Sequence, residues 1–392
     1  MFEYFEGNYT WNMAVNLTLA MGGSIGDVDD ASRSLRKLAA RNDDAAAEAF
    51  FAAWTALGEK VRKLAACDEA AGRKLSAGEK YRRAAIYFIQ AERMQQPAFA
   101  PRHQAYAAML ECFGKYLSLS GRRCERVEVP YQGTTLPALF IPAADRGSGQ
   151  PMPCMVHLDG LDVLKEIIYM LGMPDALSAR GVSTLVVDHP GVGEALRLQG
   201  LTYFPEVEVP ASAAFDYLQA RADVDAKRIG IIALSLGGYL APRAAAFEPR
   251  FACCVAWGAN YDWGAVQRRR HADPNSSLPV PHYWDHVAWV FGKSSVEEVL
   301  AISHKITLKG ILDRVRCPIL VAHGENDRQI PLTVARQTVD ECVNSPRRDL
   351  IVHTLAEGGA EHCSVDNIPL TREAISDWVA EVLIGAAIGQ QK

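Results

Sequence analysis

The 392-residue sequence predicts an α/β fold with a mostly parallel sheet, preceded by an all-helical domain. Three observations carry this expectation. Residues 1 to 124 show helical periodicity and no strand-like run. From residue 125 to the end, short apolar runs alternate with helical segments. One of those runs, "RIGIIALSLGG" at residues 228–238, stops on a single serine followed by a leucine and two glycines. At about 100–200 residues per domain, two domains are expected: 1–124 and 125–392.

The first half is rich in Ala, Leu, Arg and Glu. The stretch "DDASRSLRKLAARNDDAAAEAFFAAWTALGEKVRKLAA" spaces its apolar residues as one helix face does. In "SAGEKYRRAAIYFIQAERM", Ser76 and Glu79 have the spacing of a capping box and predict a helix start. A further helix follows in "PRHQAYAAMLECFGKYLSL". There is no internal repeat.

The pattern changes near Cys124. "ERVEVPYQGTTLPALFIPA" reads as two strands around a glycine turn. Six further strands are expected in "PCMVHLD", "STLVVDHP", "RIGIIAL", "ACCVAWGA", "PILVAHG" and "RDLIVHTL". Several are continuous apolar runs, as strands covered on both faces require. Residues 261 to about 313 interrupt the alternation and predict a lid or binding excursion before the strand "PILVAHG".

A strand, a serine and a helix in immediate succession form a nucleophile elbow. Such a turn holds the serine in a strained backbone conformation and exposes its Oγ. Here Ala233 and Gly237 flank Ser235, so alanine stands where the usual pattern has its first glycine. Pro242 in the following helix predicts a kink or a short helix. The serine needs a base and an orienting acid, in the chain order Ser, acid, His. After "PILVAHG" the candidates for the acid are Glu325 and Asp327, and Asp327 is preferred because it lies further out on the loop. After "RDLIVHTL" the candidates for the base are His353 and His362. His353 falls within the strand, so His362 in the glycine-containing loop is preferred. Amide donors for an oxyanion are expected at Leu236 and at Gly160 or Leu161. His323, Asp188 and Glu194 are read as turn, hydrogen-bonding or helix-start residues.

Composition excludes several classes. A formal net charge of −5 gives no basic footprint for nucleic acid. Nine cysteines without a C-x-x-C pair, two of them adjacent in an apolar run, predict reduced thiols and a cytoplasmic location. No signal peptide and no membrane span is read in the sequence.

The segments "HLDGLDVLKEIIYM", "VDHPGVGEALRLQGL", "ALSLGGYLAPRAAA" and "WGANYDW" resemble one branch of the α/β-hydrolases. That branch holds the bacterial dihydroxypseudooxynicotine hydrolase type and fungal hydrolases that shorten polyketide pigment precursors. More distant relatives are fermentation–respiration switch esterases. The resemblance covers the second half well and the helical half more weakly. It implies hydrolysis of a carbon–carbon bond in an aryl ketone or β-dicarbonyl compound, in the retro-Claisen sense. It further implies Ser235, Asp327 and His362 as the triad, no metal or organic cofactor, and a helical cap that helps form a homodimer. The resemblance also implies a further acidic or aromatic residue near the site, with Asp262 and Asp285 as candidates. Trp11, Tyr283, Trp284 and Trp289 are candidates to line an aromatic pocket, and the same aromatic residues equally suit plain helix packing. A carboxylesterase or thioesterase would use the same triad. A cyclase or acyltransferase, or a binding protein without turnover, could use the same fold. A prolyl-peptidase reading is weaker, because the first half is helical and shows no propeller repeat.

Overall fold

The computed structural model describes residues 1–41, 43–144, 149–273, 276 and 278–385. Two compact units are present: Met1–Arg123 with Ser277–His286, and Cys124–Ser276 with Val287–Lys392.

The first unit is helical, with helices Tyr9–Ala20, Ile25–Ser32, Asp44–Ala70, Lys74–Arg93 and Pro101–Ser120. Their ends follow from local chemistry. Asn8 accepts the Trp11 N–H at 2.9 Å, and Asp43 accepts the Ala46 N–H at 2.9 Å, each satisfying an otherwise orphaned donor. Pro101 occupies the first turn of the last helix and Gly121 closes it in the left-handed region. The helix predicted to start at Ser76 begins at Lys74 instead, with no side-chain cap, so Ser76 and Glu79 lie inside it. Its packing, with most residues from Ala84 to Arg93 buried, outweighs the local capping signal. The core of this unit includes Phe50 stacked on Trp54 at 5.1 Å.

The second unit is built on one eight-stranded sheet. Its strands are β1 (Glu125–Tyr131), β2 (Thr134–Ile141), β3 (Met152–Leu158), β4 (Ser183–Val187), β5 (Val224–Leu234), β6 (Cys254–Trp257), β7 (Ile319–Gly324) and β8 (Arg348–His353). The spatial order is β1-β2-β4-β3-β5-β6-β7-β8. The first two strands form an antiparallel hairpin, and β2 pairs antiparallel with β4. All remaining neighbours are parallel. The central strands β4, β6 and β7 are buried at every residue, as their unbroken apolar runs require. Strand order reverses between β3 and β5, which leaves a crevice at the carboxyl ends of these two strands.

The helix after the serine runs from Gly237 to Phe247 with Pro242 inside it. The structure corrects one expectation. The excursion 261–313 is not one lid. Within it, helix Trp263–Ala272 and helix Val296–Ser303 belong to the second unit, whereas Ser277–His286 clusters with the helical unit. Pro274, Asn275 and Ser277 of the excursion lie outside the described residues.

Candidate active site

Ser235 follows the last residue of β5 with φ +64°, a left-handed conformation that costs a non-glycine residue of the order of 1–3 kcal/mol. The turn is held from both sides. The Ser235 N–H donates to the Trp257 carbonyl at the end of β6, and its own carbonyl accepts the Gly238 N–H, both at 2.9 Å. The sequence around it follows from contact distances. A methyl group on Gly237 would sit 2.5 Å from the Ala233 Cβ. One side of the elbow therefore tolerates alanine only because the other side is glycine.

The Ser235 Oγ lies 2.8 Å from His362 Nε2. His362 Nδ1 lies 2.7 Å from Asp327 Oδ2. The other carboxylate oxygen of Asp327 accepts the Gln329 and Ile330 N–H groups at 2.8 and 3.0 Å. Both retained donors and the imidazole thus orient one buried carboxylate. Burial pushes the Asp327 carboxyl up, but the His362 imidazole and the backbone donors outweigh it and hold it below its ordinary value. For His362, burial pushes the imidazole down, yet the adjacent Asp327 carboxylate holds it well above its ordinary value.

The loops carrying the relay are themselves anchored. His323 accepts the Ala259 N–H at its Nδ1 (3.1 Å), leaving Nε2–H to donate to the Ile330 carbonyl (3.0 Å). This neutral imidazole ties the end of β7 to the Asp327 loop. Asp366 accepts the N–H groups of Gly359, Ala360 and Glu361, closing the turn before His362. The hydrogen-bonding role expected of His323 is the one it plays, whereas that of Asp366 was not legible from sequence. Sequence reasoning also missed Cys363. Its Sγ lies 3.5 Å from His362 Nε2 and from the Trp257 carbonyl.

Gly160, after β3, approaches the elbow closely. A Cβ there would meet the Leu234 carbonyl at 2.8 Å and the Ser235 Cβ at 3.1 Å. The loop of Gly160 and Leu161 and the start of helix Gly237–Phe247, preceded by Leu236, therefore flank the serine.

The alternatives at the acid and base positions separate cleanly. The Glu325 carboxylate accepts the Leu355 N–H, and His353 is buried at the end of β8. Asp262 is not brought to the relay as an extra acid: it caps helix Trp263–Ala272 by accepting the Ala265 N–H at 2.7 Å. Asp285 is exposed in the first turn of helix Tyr283–Val290. Of the aromatic candidates, Trp11 packs edge-on to Phe5 and against Phe50 inside the helical unit. Tyr283 and Trp284 meet edge-on at 5.1 Å, and Trp289 carries the Arg197 guanidinium over its ring at 5.2 Å. Glu194 lies in the first turn of helix Gly193–Arg197, as expected, and its carboxylate also pairs with Lys165 and Arg126.

Comparison with known proteins places this geometry. The family model described as the prolyl oligopeptidase family matches residues 176–385. Hydrolase acrC of Aspergillus aculeatus is 31% identical over 324 residues, covering 71% of this chain and 74% of that protein. The 2,6-dihydropseudooxynicotine hydrolase of Paenarthrobacter nicotinovorans is 29% identical over 338 residues, covering 86% and 85%. The crystal structure of 2,6-dihydroxy-pseudo-oxynicotine hydrolase superposes with a TM-score of 0.76 at 26% identity, over 95% of this chain and 96% of that one.

Proposed function

Because the chain belongs to the prolyl oligopeptidase family of α/β-hydrolase enzymes, we propose that Ser235, His362 and Asp327 form its triad and hydrolyse a carbon–carbon bond in an aryl ketone or β-dicarbonyl substrate. The observation that carries the triad is the unbroken relay of 2.8 Å and 2.7 Å from Oγ through the imidazole to a buried carboxylate. The substrate class is supported by similarity along most of the chain to 2,6-dihydropseudooxynicotine hydrolase, in the helical as well as the catalytic half.

Two routes fit this relay: water attacks directly, with Ser235 only positioning groups, or Ser235 itself attacks, in the following steps. His362 Nε2 takes the Ser235 proton as Oγ attacks the carbonyl. The Leu236 amide, with Gly160 or Leu161, stabilises the oxyanion that develops. Collapse of the adduct breaks the bond to the adjacent carbon, whose electron pair leaves as an enolate. The His362 imidazolium returns the proton to that carbon, which departs as a ketone. Water then attacks the acyl-serine, again through His362, and a carboxylic acid is released. The net change is addition of one water across the carbon–carbon bond. An enolate is a tolerable leaving group, which restricts the substrate to carbonyls with an activated neighbour.

The deciding experiment offers the enzyme a 1-aryl-1,3-diketone and the matched aryl ester and identifies products by mass spectrometry. The expected result is acid plus ketone from the diketone, at a higher kcat/KM than for the ester. Cleavage of the ester alone overturns the carbon–carbon reading and assigns a carboxylesterase.

Activity has a defined pH direction. The base must be neutral to accept the serine proton, and Asp327 holds its pKa up. On its acidic side kcat/KM is therefore expected to rise with pH through one ionisation above the ordinary histidine value. Asp327→Asn should move that limb to lower pH and reduce kcat by about 10⁴-fold. A limb left unmoved in the variant contradicts the pairing. The same shift makes the His362–Asp327 pair stabilising when the imidazole is protonated. That contribution is complete below the unfolded histidine value of about 6.5 and is lost as pH rises through the higher folded value.

A further inference from the structure

Behind the oxyanion loop lies a group of ionisable side chains that the reaction itself does not use. Asp159 follows β3, Lys165 and Glu166 open helix Lys165–Met170, Asp188 and His189 follow β4, and Glu194 lies in helix Gly193–Arg197. All six are buried, and Arg126 of β1 reaches Glu194 from the sheet edge. His157 lies two residues before Asp159, within β3. Burial keeps both imidazoles neutral, pushing His157 down to about 3 and His189 in the same direction. The carboxyls of Asp159, Glu166, Asp188 and Glu194 are thus set against the cations of Lys165 and Arg126.

Asp188 is the hub. One oxygen accepts the Lys165 backbone N–H at 3.0 Å; the other accepts Lys165 Nζ and the Glu194 N–H, both at 2.8 Å. Burial pushes its carboxyl up, but Lys165 and these donors hold it below the ordinary value, so Asp188 is ionised. Glu166 has Lys165 Nζ 2.7 Å from one oxygen, and burial raises it.

Asp159 is placed oppositely. Leu158 of β3 is in register with Val187 of β4, so Asp159 and Asp188 leave neighbouring strand ends on the same side of the sheet. Neither Asp159 oxygen meets a donor among the described residues. Ionised, it would be a bare buried charge next to another carboxylate, the costliest state available to it. Protonated, it becomes a donor, and the Asp188 carboxylate is its neighbour. Burial, then the Asp188 charge, holds the Asp159 carboxyl well above its ordinary value.

Both ends of the oxyanion loop are fastened to this group. Lys165 N–H bonds Asp188, and the Asp159 carbonyl lies 3.1 Å from His189 Nε2. Between them Gly160 touches the elbow with no room for a methyl group. A displacement of the cluster is therefore passed to Gly160, which touches the elbow, and so to the loop proposed to supply the oxyanion amides. Resting on the assignment of Ser235 as nucleophile, we infer that Asp159 is a positioning residue acting as a neutral carboxylic acid, its proton locking the Asp188–Lys165 hub and, through it, the oxyanion loop.

The test compares wild type, Asp159→Asn and Asp159→Ala, all full length, by kcat and KM for p-nitrophenyl acetate across neutral and alkaline pH. Asparagine keeps the shape and a donor but cannot ionise. The expected result is that wild-type kcat falls at alkaline pH, that Asp159→Asn matches wild type within about threefold at neutral pH, and that its alkaline fall is absent. Asp159→Ala should lower kcat about tenfold or more at every pH with KM nearly unchanged, as a misplaced oxyanion donor does. A fall in kcat of that size in Asp159→Asn at neutral pH overturns the proposal, because it shows that the ionised acid is needed. An Asp159→Asn profile that keeps the wild-type alkaline fall overturns it equally. Should Asp159→Ala fail to fold, the asparagine profile alone decides. Ser235→Ala in the same assay separates the two readings: turnover that survives in it removes the serine assignment, whatever Asp159 does.

Discussion

Ser235→Ala is expected to lower kcat by about 10⁴–10⁶-fold while the protein stays folded. The loss is that large because the serine and histidine act as one unit, and what remains is binding plus the oxyanion donors. The fold is spared because, among the described residues, the hydroxyl bonds His362 alone, while backbone hydrogen bonds hold the turn. A fluorophosphonate probe should label wild type and not the variant. Ser235→Gly sharpens the argument. The left-handed conformation at φ +64° costs serine energy that glycine does not spend. The glycine variant should therefore be inactive and yet about 1 kcal/mol more stable in urea titration. Undiminished turnover in either variant ends the triad reading. A glycine variant that is less stable than wild type shows that the elbow is not strained.

Lys165→Met should have the largest effect on stability. Its ammonium is wholly buried and serves Asp188, Glu166 and Glu194. Removing one partner from a buried ion pair costs about 3–5 kcal/mol, because the surviving charge keeps its desolvation penalty without compensation. Here several carboxyls lose their shared cation, and a typical domain has only about 5–15 kcal/mol in total. The variant is expected to unfold at a much lower urea concentration. Its deficit should shrink on acidification, since protonating the stranded carboxylates relieves them. A urea midpoint equal to that of wild type would mean that the pairs contribute nothing.

The hydrogen-bonded relay of Ser235, His362 and Asp327 was readable because each member sits just after an apolar strand, and strand ends are visible in one dimension. "RIGIIALSLGG" shows its elbow by the abrupt change from branched apolar residues to small ones. Asp327 and His362 were separable from Glu325 and His353 by their distance from the strand end, and the hydrogen bonds agree. Lys165 was not readable. A lysine in "VLKEII" looks like a solvated position, and only the arrival of Asp188 and Glu194 from over twenty residues away buries it. The Ser76 helix start failed for the same reason in reverse: a local capping signal yielded to packing. The stretch 277–286 gave no sign that it belongs with the helices of the first unit rather than with its chain neighbours. Such membership is decided by contacts distant in sequence.

The Ser235 oxygen and the His362 nitrogen it meets are separated by 127 residues of chain. Regain of turnover during refolding therefore reports the closing of a very long loop, after β6, β7 and β8 have docked in turn. Helical circular dichroism should recover first, and catalysis should be among the last signals to return.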